Sequence, residues 1–379
     1  MEYWIWLKQI PGIGAILQKR LLYRFQLPQA VYEGSEKELL SIEGIGSSLA
    51  KVIQEHRSLD QAKRILDEVM NHDIKLLTYH DSLYPVNAKR YPEAPILLYY
   101  RGSLRKNSTG VAIVGSRRCT DYGKRVAVEA AGFLAQNDIP VISGMAKGID
   151  GYAHIGCLKA EGYTIAFLGN GVDICYPREH DALLAGIIEN GAVISAYAPG
   201  TRPRPEYFPE RNALISSWSQ KIFVVEAGEK GGALITARFA KDQGKEIYAL
   251  PHEINNSTGK GVNRLIAEGA HIYLHPAQLL PEGNMDVLDG EFISFNNKQS
   301  SNETRLTNKT HSTIKRTLTP IEQQILSSLS LAPKTIEEIS ADTDSDQLQL
   351  IELLSMMELE GLIQTYPGGK FRCGGTSET

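Results

Sequence analysis

The chain has 379 residues, of which 42% are hydrophobic and 22% are charged, and its formal net charge is −4. This length predicts two or three domains. The small negative charge excludes a protein coated with positive charge, so any nucleic-acid site must be a local patch. The four cysteines form no C-x-x-C pair, which argues against a disulfide framework or a zinc site and favours a reducing cytosol. We find no apolar run of membrane-spanning length and no basic signal-peptide region.

Two similar glycine turns mark residues 1–82. Ile10-Pro-Gly-Ile-Gly14 and Ile42-Glu-Gly-Ile-Gly46 each precede a segment with helical apolar spacing. Glycines allow the tight turn and leave the N–H groups of the new helix exposed. The pair resembles a tandem helix-hairpin-helix (SAM-like) module, which grips phosphates without reading sequence. A helical domain that only packs or contacts a partner fits equally well. The cations available for phosphates are Lys19, Arg20, Lys51 and Arg57, diluted by five glutamates.

Residues 83–283 alternate short apolar runs with segments of helical length. Alternation of this kind predicts repeated βαβ units, and therefore an α/β fold with a parallel sheet covered on both faces. Ligands bind such sheets at the carboxyl ends of the strands, so the residues just after each run are the informative ones. The runs are 111–115, 139–143, 164–168, 192–197, 221–226 and 246–250, preceded by a predicted strand at 96–100.

Small and cationic residues follow these runs. Small residues let a ligand reach backbone N–H groups, helix N-termini favour anions, and arginines add bidentate contacts to phosphate. From residue 101 to 125 there are seven Lys or Arg and one Asp. We therefore predict a crevice for a nucleic-acid backbone, with Tyr207 and Phe208 available to stack bases. The predicted DNA-binding residues are Gly115, Ser116, Arg117, Arg118, Ser143, Gly144, Lys147, Gly169, Arg178, Tyr207, Phe208, Arg211 and Asn212.

The first turn argues against a dinucleotide-binding enzyme. Gly115-Ser-Arg-Arg is not G-x-G-x-x-G, and Ser143-Gly144 stands where a ribose-binding carboxylate is expected. No G-x-x-x-x-G-K-[ST] motif for ATP occurs either. Asp150 and His154 lie four residues apart on a predicted helix and are one candidate acid–base couple. We favour a helix-capping Asp150 and a hydrogen-bonded His154 below the crevice.

Glu226 is the remaining carboxylate of interest. It ends a run beside Gly231-Gly232, where it either holds a ribose, as in nucleoside-processing relatives of such folds, or caps a loop. No Ser, His and carboxylate set has a recognisable order, and no cluster suggests a metal. We predict no catalytic residue, no cofactor and no metal. A nucleotide or nucleoside-phosphate hydrolase and a protein that only senses a nucleotide remain the alternatives.

The central motifs resemble the DNA-processing protein A family, DprA, also called Smf. The resemblance implies an extended Rossmann-like fold that binds single-stranded DNA and is not known as an enzyme. It also implies a homodimer through the distal part of this domain, and loading of the recombinase RecA onto incoming DNA in natural transformation. The matching segments are 111–117, 143–150 with His154, 208–212, 225–227 with 234–237, and 261–263 with 269–270. The match assigns the DNA pocket to Gly115, Ser116, Arg117, Phe208, Arg211 and Asn212, with Arg178 as a further cation.

The chain departs from the family pattern at several positions. Ala196 replaces an acid, which weakens any catalytic interpretation, and Ala213 replaces an arginine, which leaves one cation fewer in the pocket. His252 follows Pro251 where the family often has glycine. Residues 231–233 read Gly-Gly-Ala where the family tends to have Ser-Gly-Ser.

Residues 284–317 are rich in Asn, Ser, Thr and Lys and predict a flexible linker. Three helical patterns at 319–329, 335–340 and 345–360, then two short strands within 362–373, predict a winged-helix domain at 318–379. Residues 319–373 carry nine acidic residues against three basic ones. The third helix carries Asp346, Glu352 and Glu358 and no cation. Because phosphates repel such a surface, we favour a protein-contact or regulatory module.

Overall fold

A computed structural model of the protein describes residues 1–281, apart from 93, 107 and 108, and residues 318–373 with gaps at 331, 344, 346–349, 351–352, 355–356, 359–361 and 367–369. The predicted linker at 284–317 lies outside the described residues. The chain divides into two compact units, Met1–Asn296 and Asn297–Thr379. Within the described residues, no helix is both long and apolar enough to cross a membrane.

Six helices form the N-terminal part of the first unit. Both glycine turns open helices as predicted, since Gly14 precedes the second helix and Gly46 precedes the fifth. Gly12 and Gly44 have φ angles of 76° and 90°, which only glycine adopts without strain. The helices are α1 (Glu2–Gln9), α2 (Ala15–Phe25), α3 (Pro28–Glu33), α4 (Glu36–Leu40), α5 (Ser47–Glu55) and α6 (Asp60–Asn71).

A nine-stranded sheet forms the centre of the first unit. Its order is β1-β2-β6-β5-β4-β3-β7-β8-β9, and the pairs from β6 to β9 are all parallel. The α/β prediction is therefore confirmed, and the predicted runs are strands. The strands are β1 (Lys75–Thr78), β2 (Leu97–Gly102), β3 (Gly110–Val114), β4 (Val141–Ser143), β5 (Thr164–Leu168), β6 (Gly191–Ser195), β7 (Ser219–Val224), β8 (Glu246–Ala249) and β9 (His271–Ile272).

Helices cover the sheet on both faces. Side chains alternate across β3, so Val111 and Ile113 pack in one apolar layer while Ala112 and Val114 pack in the other. The continuous apolar run of this strand follows from burial on both faces. The helices of this part are α7 (Val86–Lys89), α8 (Asp121–Gln136), α9 (Ile149–Lys159), α10 (Asp181–Asn190), α11 (Tyr207–Trp218), α12 (Ala233–Asp242) and α13 (Lys260–Ala267), with single 3₁₀ turns at Arg178–His180 and Pro276–Leu279.

The prediction of a purely helical segment up to residue 82 is wrong at β1. Lys75–Thr78 pairs antiparallel with β2 and forms one edge of the central sheet. Leu76 and Leu77 supply the apolar contacts, but a four-residue strand gives too short a pattern to separate from the end of a helix. The N-terminal helices also share an apolar cluster with β2, β5 and β6, so helices and sheet pack as one unit.

The second unit contains two described helices and a three-stranded sheet. Thr319 caps the first helix, since its hydroxyl accepts from the backbone N–H of Glu322 while the Glu322 carboxylate accepts from that of Thr319. These elements are α14 (Pro320–Leu329), β10 (Lys334–Thr335), α15 (Ile336–Thr343), β11 (Ile363–Tyr366) and β12 (Lys370–Cys373), with strand order β10-β12-β11. The predicted helix at 345–360 lies largely outside the described residues.

Candidate nucleic-acid interface

A cavity of about 330 Å³ lies where the chain order of the sheet reverses. From β3 the chain builds β4, β5 and β6 on one side, whereas β7, β8 and β9 lie on the other. The turn after β3 and the residues after β7 both line the cavity. Ligands of open α/β sheets bind at this switch point, outside the carboxyl ends of the strands. The lining includes Gly115, Ser116, Arg117, Ala146, Asp150, Phe208, Arg211, Asn212, Ile215, Glu226, Gly228, Gly231, Gly232, Ile235 and Thr236.

Arg117 stands at the mouth of this cavity. Its side chain is exposed, and its guanidinium lies 5.3 Å from the centre of the Phe208 ring. Across residues 1–281 as far as they are described, it has no hydrogen-bond or ion-pair partner. The Ser116 hydroxyl donates to the Arg118 carbonyl at 2.8 Å and accepts from its backbone N–H at 3.1 Å, which fixes the turn. The turn thus presents an uncompensated cation beside an aromatic ring.

Arg211 lies in the floor of the cavity with only 5% of its surface exposed. Its Nη1 donates to the carbonyls of Gly144 and Phe167, the latter at 2.8 Å, and its Nε donates to the Asn212 side-chain oxygen at 3.1 Å. A Cβ at position 144 would collide with this guanidinium, so Arg211 would have to move to accept any residue other than glycine there. Burial lowers the pKa of Arg211, and the charge of Asp150 opposes that shift. Arg211 therefore holds the floor together and brings positive charge to it.

Asp150 is a buried carboxyl in the lining of the same cavity. Burial raises the pKa of this carboxyl, while the Arg211 charge and the backbone N–H groups of Ala146, Gly115 and Gly144 act in the opposite direction. Asp150 lies in the first turn of α9, but it does not cap that helix as expected, because Gly148 is the N-cap and provides no side chain. The backbone N–H groups of Gly115 and Gly144, which act to lower this pKa, belong to the glycine turns that follow β3 and β4.

A smaller cavity of about 60 Å³ adjoins the first one. Both cavities are lined by Arg117, Ala146 and Phe208, so the Phe208 ring separates them. Tyr176 also lines the smaller cavity; its ring is 39% exposed and lies 5.9 Å from that of Phe208. Gly144, Lys147 and Gly169 contribute to the same wall. Two aromatic rings and the Arg117 guanidinium therefore meet at one point on the sheet edge.

The structure brings together nine of the thirteen predicted residues in the two cavities. The other four, Arg118, Ser143, Arg178 and Tyr207, line neither. Ser143 is fully buried and its hydroxyl donates to the Ile113 carbonyl at 2.6 Å. Arg118 and Arg178 are exposed, and Tyr207 stacks on Tyr197 with 4.1 Å between ring centres. Lys147 lines the smaller cavity but forms an ion pair with Glu179.

Tyr176 and Thr236 line the cavities but were not predicted. The sequence does contain a signal for Tyr176: it is an aromatic residue two positions before Arg178, and base stacking needs such a ring. Thr236 lies on α12, and its hydroxyl carries no sequence pattern that separates a cavity wall from an ordinary helix position. Which face of α12 meets the cavity is decided only by packing.

Two of the candidate catalytic groups, His154 and Glu226, make hydrogen bonds to other protein side chains. The Nδ1 of His154 lies 2.7 Å from the Thr164 hydroxyl oxygen, in a fully buried position as expected. Glu226 accepts from the backbone N–H of Thr120 at 3.0 Å and from its hydroxyl. Because Thr120 caps α8, Glu226 anchors a helix start and is not free to hold a ribose. Among the described residues, no three His, Cys, Asp or Glu side chains group as a metal site.

Two family models match the chain. The first, described as DNA recombination-mediator protein A, covers residues 75–284. The second, described as the DprA winged helix domain, covers residues 309–369 and agrees with the helices and the three-stranded sheet of the second unit.

Similar proteins agree with these matches. Protein Smf of Synechocystis is 31% identical over 98% of both chains. DNA processing protein DprA of Streptococcus pneumoniae is 36% identical over 53% of this chain and 72% of its own. The X-ray structure of DprA from Streptococcus pneumoniae superposes with a TM-score of 0.65 at 29% identity, over 74% of this chain and 98% of that one.

Proposed function

Because the chain belongs to the DNA recombination-mediator protein A family, we propose that it binds single-stranded DNA and acts as a recombination mediator. The observation that carries this proposal is Arg117, an exposed cation at the mouth of a glycine turn that contacts the Phe208 ring and has no hydrogen-bond or ion-pair partner among the described residues. Backbone N–H groups of glycine turns and helix N-termini favour phosphate beside it. Charge-assisted contacts from arginine to phosphate are among the stronger hydrogen bonds.

The aromatic rings support a single strand over a duplex. Phe208 and Tyr176 line the rim of the cavities, where an unpaired base can stack on them. Such stacking contributes roughly 1–3 kcal/mol per base and does not depend on sequence. A duplex keeps its bases stacked inside and presents only its backbone. We propose that Arg117 and Phe208, with the backbone of Gly115, Gly144 and Gly169, make the main contacts.

The test is binding of labelled single-stranded and duplex oligonucleotides over a range of salt. We expect preference for the single strand, and a slope of log affinity against log salt of about −0.7 per phosphate contacted. Arg117→Ala should weaken binding about tenfold or more and reduce that slope by about 0.7. Arg264→Ala removes an exposed cation paired with Glu268 and serves as the control. Equal affinity of Arg117→Ala and wild type contradicts the proposal.

We also propose that the chain binds and does not catalyse. In the described structure Asp150 and His154 form no hydrogen bond or ion pair with each other, and the His154 Nδ1 instead contacts the Thr164 hydroxyl. Glu226 is committed to Thr120. A hydrolase needs a carboxylate or nucleophile that faces its substrate with an open position. Release of free base or phosphate from a mononucleotide would instead favour the nucleoside-phosphate hydrolase.

We propose further that the protein protects incoming DNA and loads a RecA-type recombinase in natural transformation. Family membership supports this role. The measurement is the rate of recombinase filament growth on a single strand already covered by single-strand-binding protein. We expect wild type to accelerate growth and Arg117→Ala to lose the acceleration. Protection is measured as the survival of the oligonucleotide against a single-strand exonuclease.

We propose that the protein forms a homodimer through the distal edge of the sheet. The edge strand β9 has two residues, and Ile272 and Leu274 beside it are 45% and 73% exposed. Exposed apolar side chains that lie close together on one surface can form the centre of an interface. Leu274→Glu should convert a dimer to a monomer in sedimentation. Ile254→Glu, at an 82% exposed apolar position, is the matched control.

For the winged-helix domain we propose a protein contact. The described acids Glu337, Glu338 and Asp342 outweigh nearby cations, and Lys334 is itself paired with Asp342. Phosphate repulsion disfavours groove binding by such a surface. Lys370→Ala should therefore leave the affinity for oligonucleotides unchanged.

A further inference from the structure

A separate cavity of about 470 Å³ lies at the carboxyl end of β8. It is built from the first turn of α8 and from the loop that follows β8. Tyr122 contributes a ring that is 41% exposed. The lining residues are Thr120, Tyr122, Pro251, His252, Glu253 and Asn256. None of the residues predicted from sequence to bind DNA lies in this cavity.

This cavity lies along the same edge of the sheet as the first two cavities. Strands β5, β4, β3, β7 and β8 are neighbours in this order and run parallel, so their carboxyl ends share one edge. The smaller cavity lies outside β5 and β4, the larger one outside β3 and β7, and this one outside β8. Adjacent strands are about 4.8 Å apart. The step from the larger cavity to this one is therefore short compared with an extended strand of DNA.

Thr120 connects the two cavities physically. It lines the cavity at β8, and it donates to the Glu226 carboxylate, which lines the larger cavity. Thr120 is also the N-cap of α8, so this helix start is fixed between the two. The wall between the cavities is thus a rigid hydrogen-bonded unit and not a loose loop.

The groups in this cavity suit a nucleobase. Tyr122 and His252 meet edge to face with 5.6 Å between ring centres. The His252 Nε2 lies 2.8 Å from the Val225 carbonyl, which only accepts, so Nε2 donates there and the ring is held in place. The Asn256 side-chain oxygen accepts from Thr258 at 2.9 and 2.8 Å. An aromatic face with nearby donors and acceptors is how single unpaired bases are held.

We propose that Tyr122, His252 and Asn256 form a second base-binding station for the same single strand that occupies the larger cavity. The proposal rests on the proposed single-strand binding, and continuity along the sheet edge identifies the occupant. Arg118 is exposed just before α8, and Arg125 follows Tyr122 by one turn. Arg125 is close enough to counteract the rise in the Tyr122 pKa that burial causes. Both cations favour the passage of a phosphate backbone.

The test is a series of oligothymidines of increasing length, with affinity measured for wild type, Tyr122→Ala, Tyr122→Phe and Arg117→Ala. Wild type should gain affinity once the strand is long enough to reach Tyr122. Tyr122→Ala should lose about tenfold on the long strands and nothing on the short ones, and Tyr122→Phe should retain the gain. Tyr23→Ala, an exposed ring on α2, is the control and should match wild type at every length.

The outcomes separate the two proposals. If Tyr122→Ala matches wild type at every length while Arg117→Ala weakens all lengths, the second station is refuted and single-strand binding stands. If Arg117→Ala also matches wild type, Arg117 does not contact the strand and the larger cavity is refuted as its site; if no oligothymidine binds, single-strand binding itself is refuted. Photo-crosslinking with 5-iodouracil in the long strand needs no substitution. Mapping of the crosslink to Tyr122 or His252 supports the station, and crosslinks confined to the larger cavity refute it.

Discussion

Glycine turns open helices in two regions of this chain, and the cations beside them differ. In the N-terminal hairpins, the ammonium group of Lys19 donates to the Tyr91 carbonyl at 2.8 Å. Arg20 donates to the Glu43 carbonyl at 2.6 Å and lies 3.5 Å from its carboxylate. These cations hold the hairpins to each other and to the neighbouring loop.

The cation of the glycine turn after β3 is Arg117. Arg117 contacts the Phe208 ring and no acid among the described residues. Both regions use glycine for a tight turn, but Gly14 and Gly46 directly precede helices, whereas the helix after Gly115 begins at Asp121 and is capped by Thr120. A glycine turn with cations therefore indicates a ligand site only when the protein leaves the cation unpaired. Arg20 lies within α2 and Arg117 lies two residues after Gly115, and packing decides which of the two cations is paired.

Arg211 gives the largest expected difference between the regions. It is a buried cation of the central region, and Arg211→Met would leave the Gly144 and Phe167 carbonyls and the Asn212 amide oxygen without its hydrogen bonds. A buried acceptor left without a hydrogen bond costs about 1–3 kcal/mol, so the unfolding midpoint in urea should fall clearly. Arg20→Met removes a half-exposed cation and should cost less than about 1 kcal/mol. An unchanged midpoint for Arg211→Met would show that the guanidinium does not hold the floor.

Acid should destabilise the central region more than the N-terminal hairpins, because the buried His154 lies in the central region. Burial lowers its pKa from 6.5 to about 3. The unfolded chain takes up the proton first, so stability is lost as pH falls from about 6.5 towards 3, by about 1.4 kcal/mol per pH unit. His154→Gln should flatten this dependence. Hydrogen exchange by mass spectrometry reports each region separately, and α9 should lose protection before α2 and α5. Equal slopes for wild type and His154→Gln would contradict this origin.

Much of the fold could be predicted from the sequence, because strands buried on both faces are continuous apolar runs. The run at β3 and the glycine after it also place Gly115 and Arg117 at the ligand edge, since parallel strands end together. The run at β1 was too short to identify. Which side chains are buried and which face the cavity was not predictable either. Arg211 and Phe208 lie three residues apart on α11, yet one is buried and one lies on the rim, because packing sets how the helix is turned.

The smallest expected effects lie in the N-terminal hairpins. Lys51 pairs with Glu55 at 3.7 Å on the exposed face of α5, so Lys51→Ala should cost about 0.3–0.5 kcal/mol of stability. Because Lys51 and Arg20 are already paired, Lys51→Ala and Arg20→Ala should bind single-stranded oligonucleotides with the affinity and salt slope of wild type. The measurement is the same salt titration that is used for Arg117→Ala. A fall in the salt slope of either variant would mean that the hairpins also contact phosphates. In that case pairing with a glutamate does not remove a cation from the DNA path, and both glycine-turn regions belong to one site.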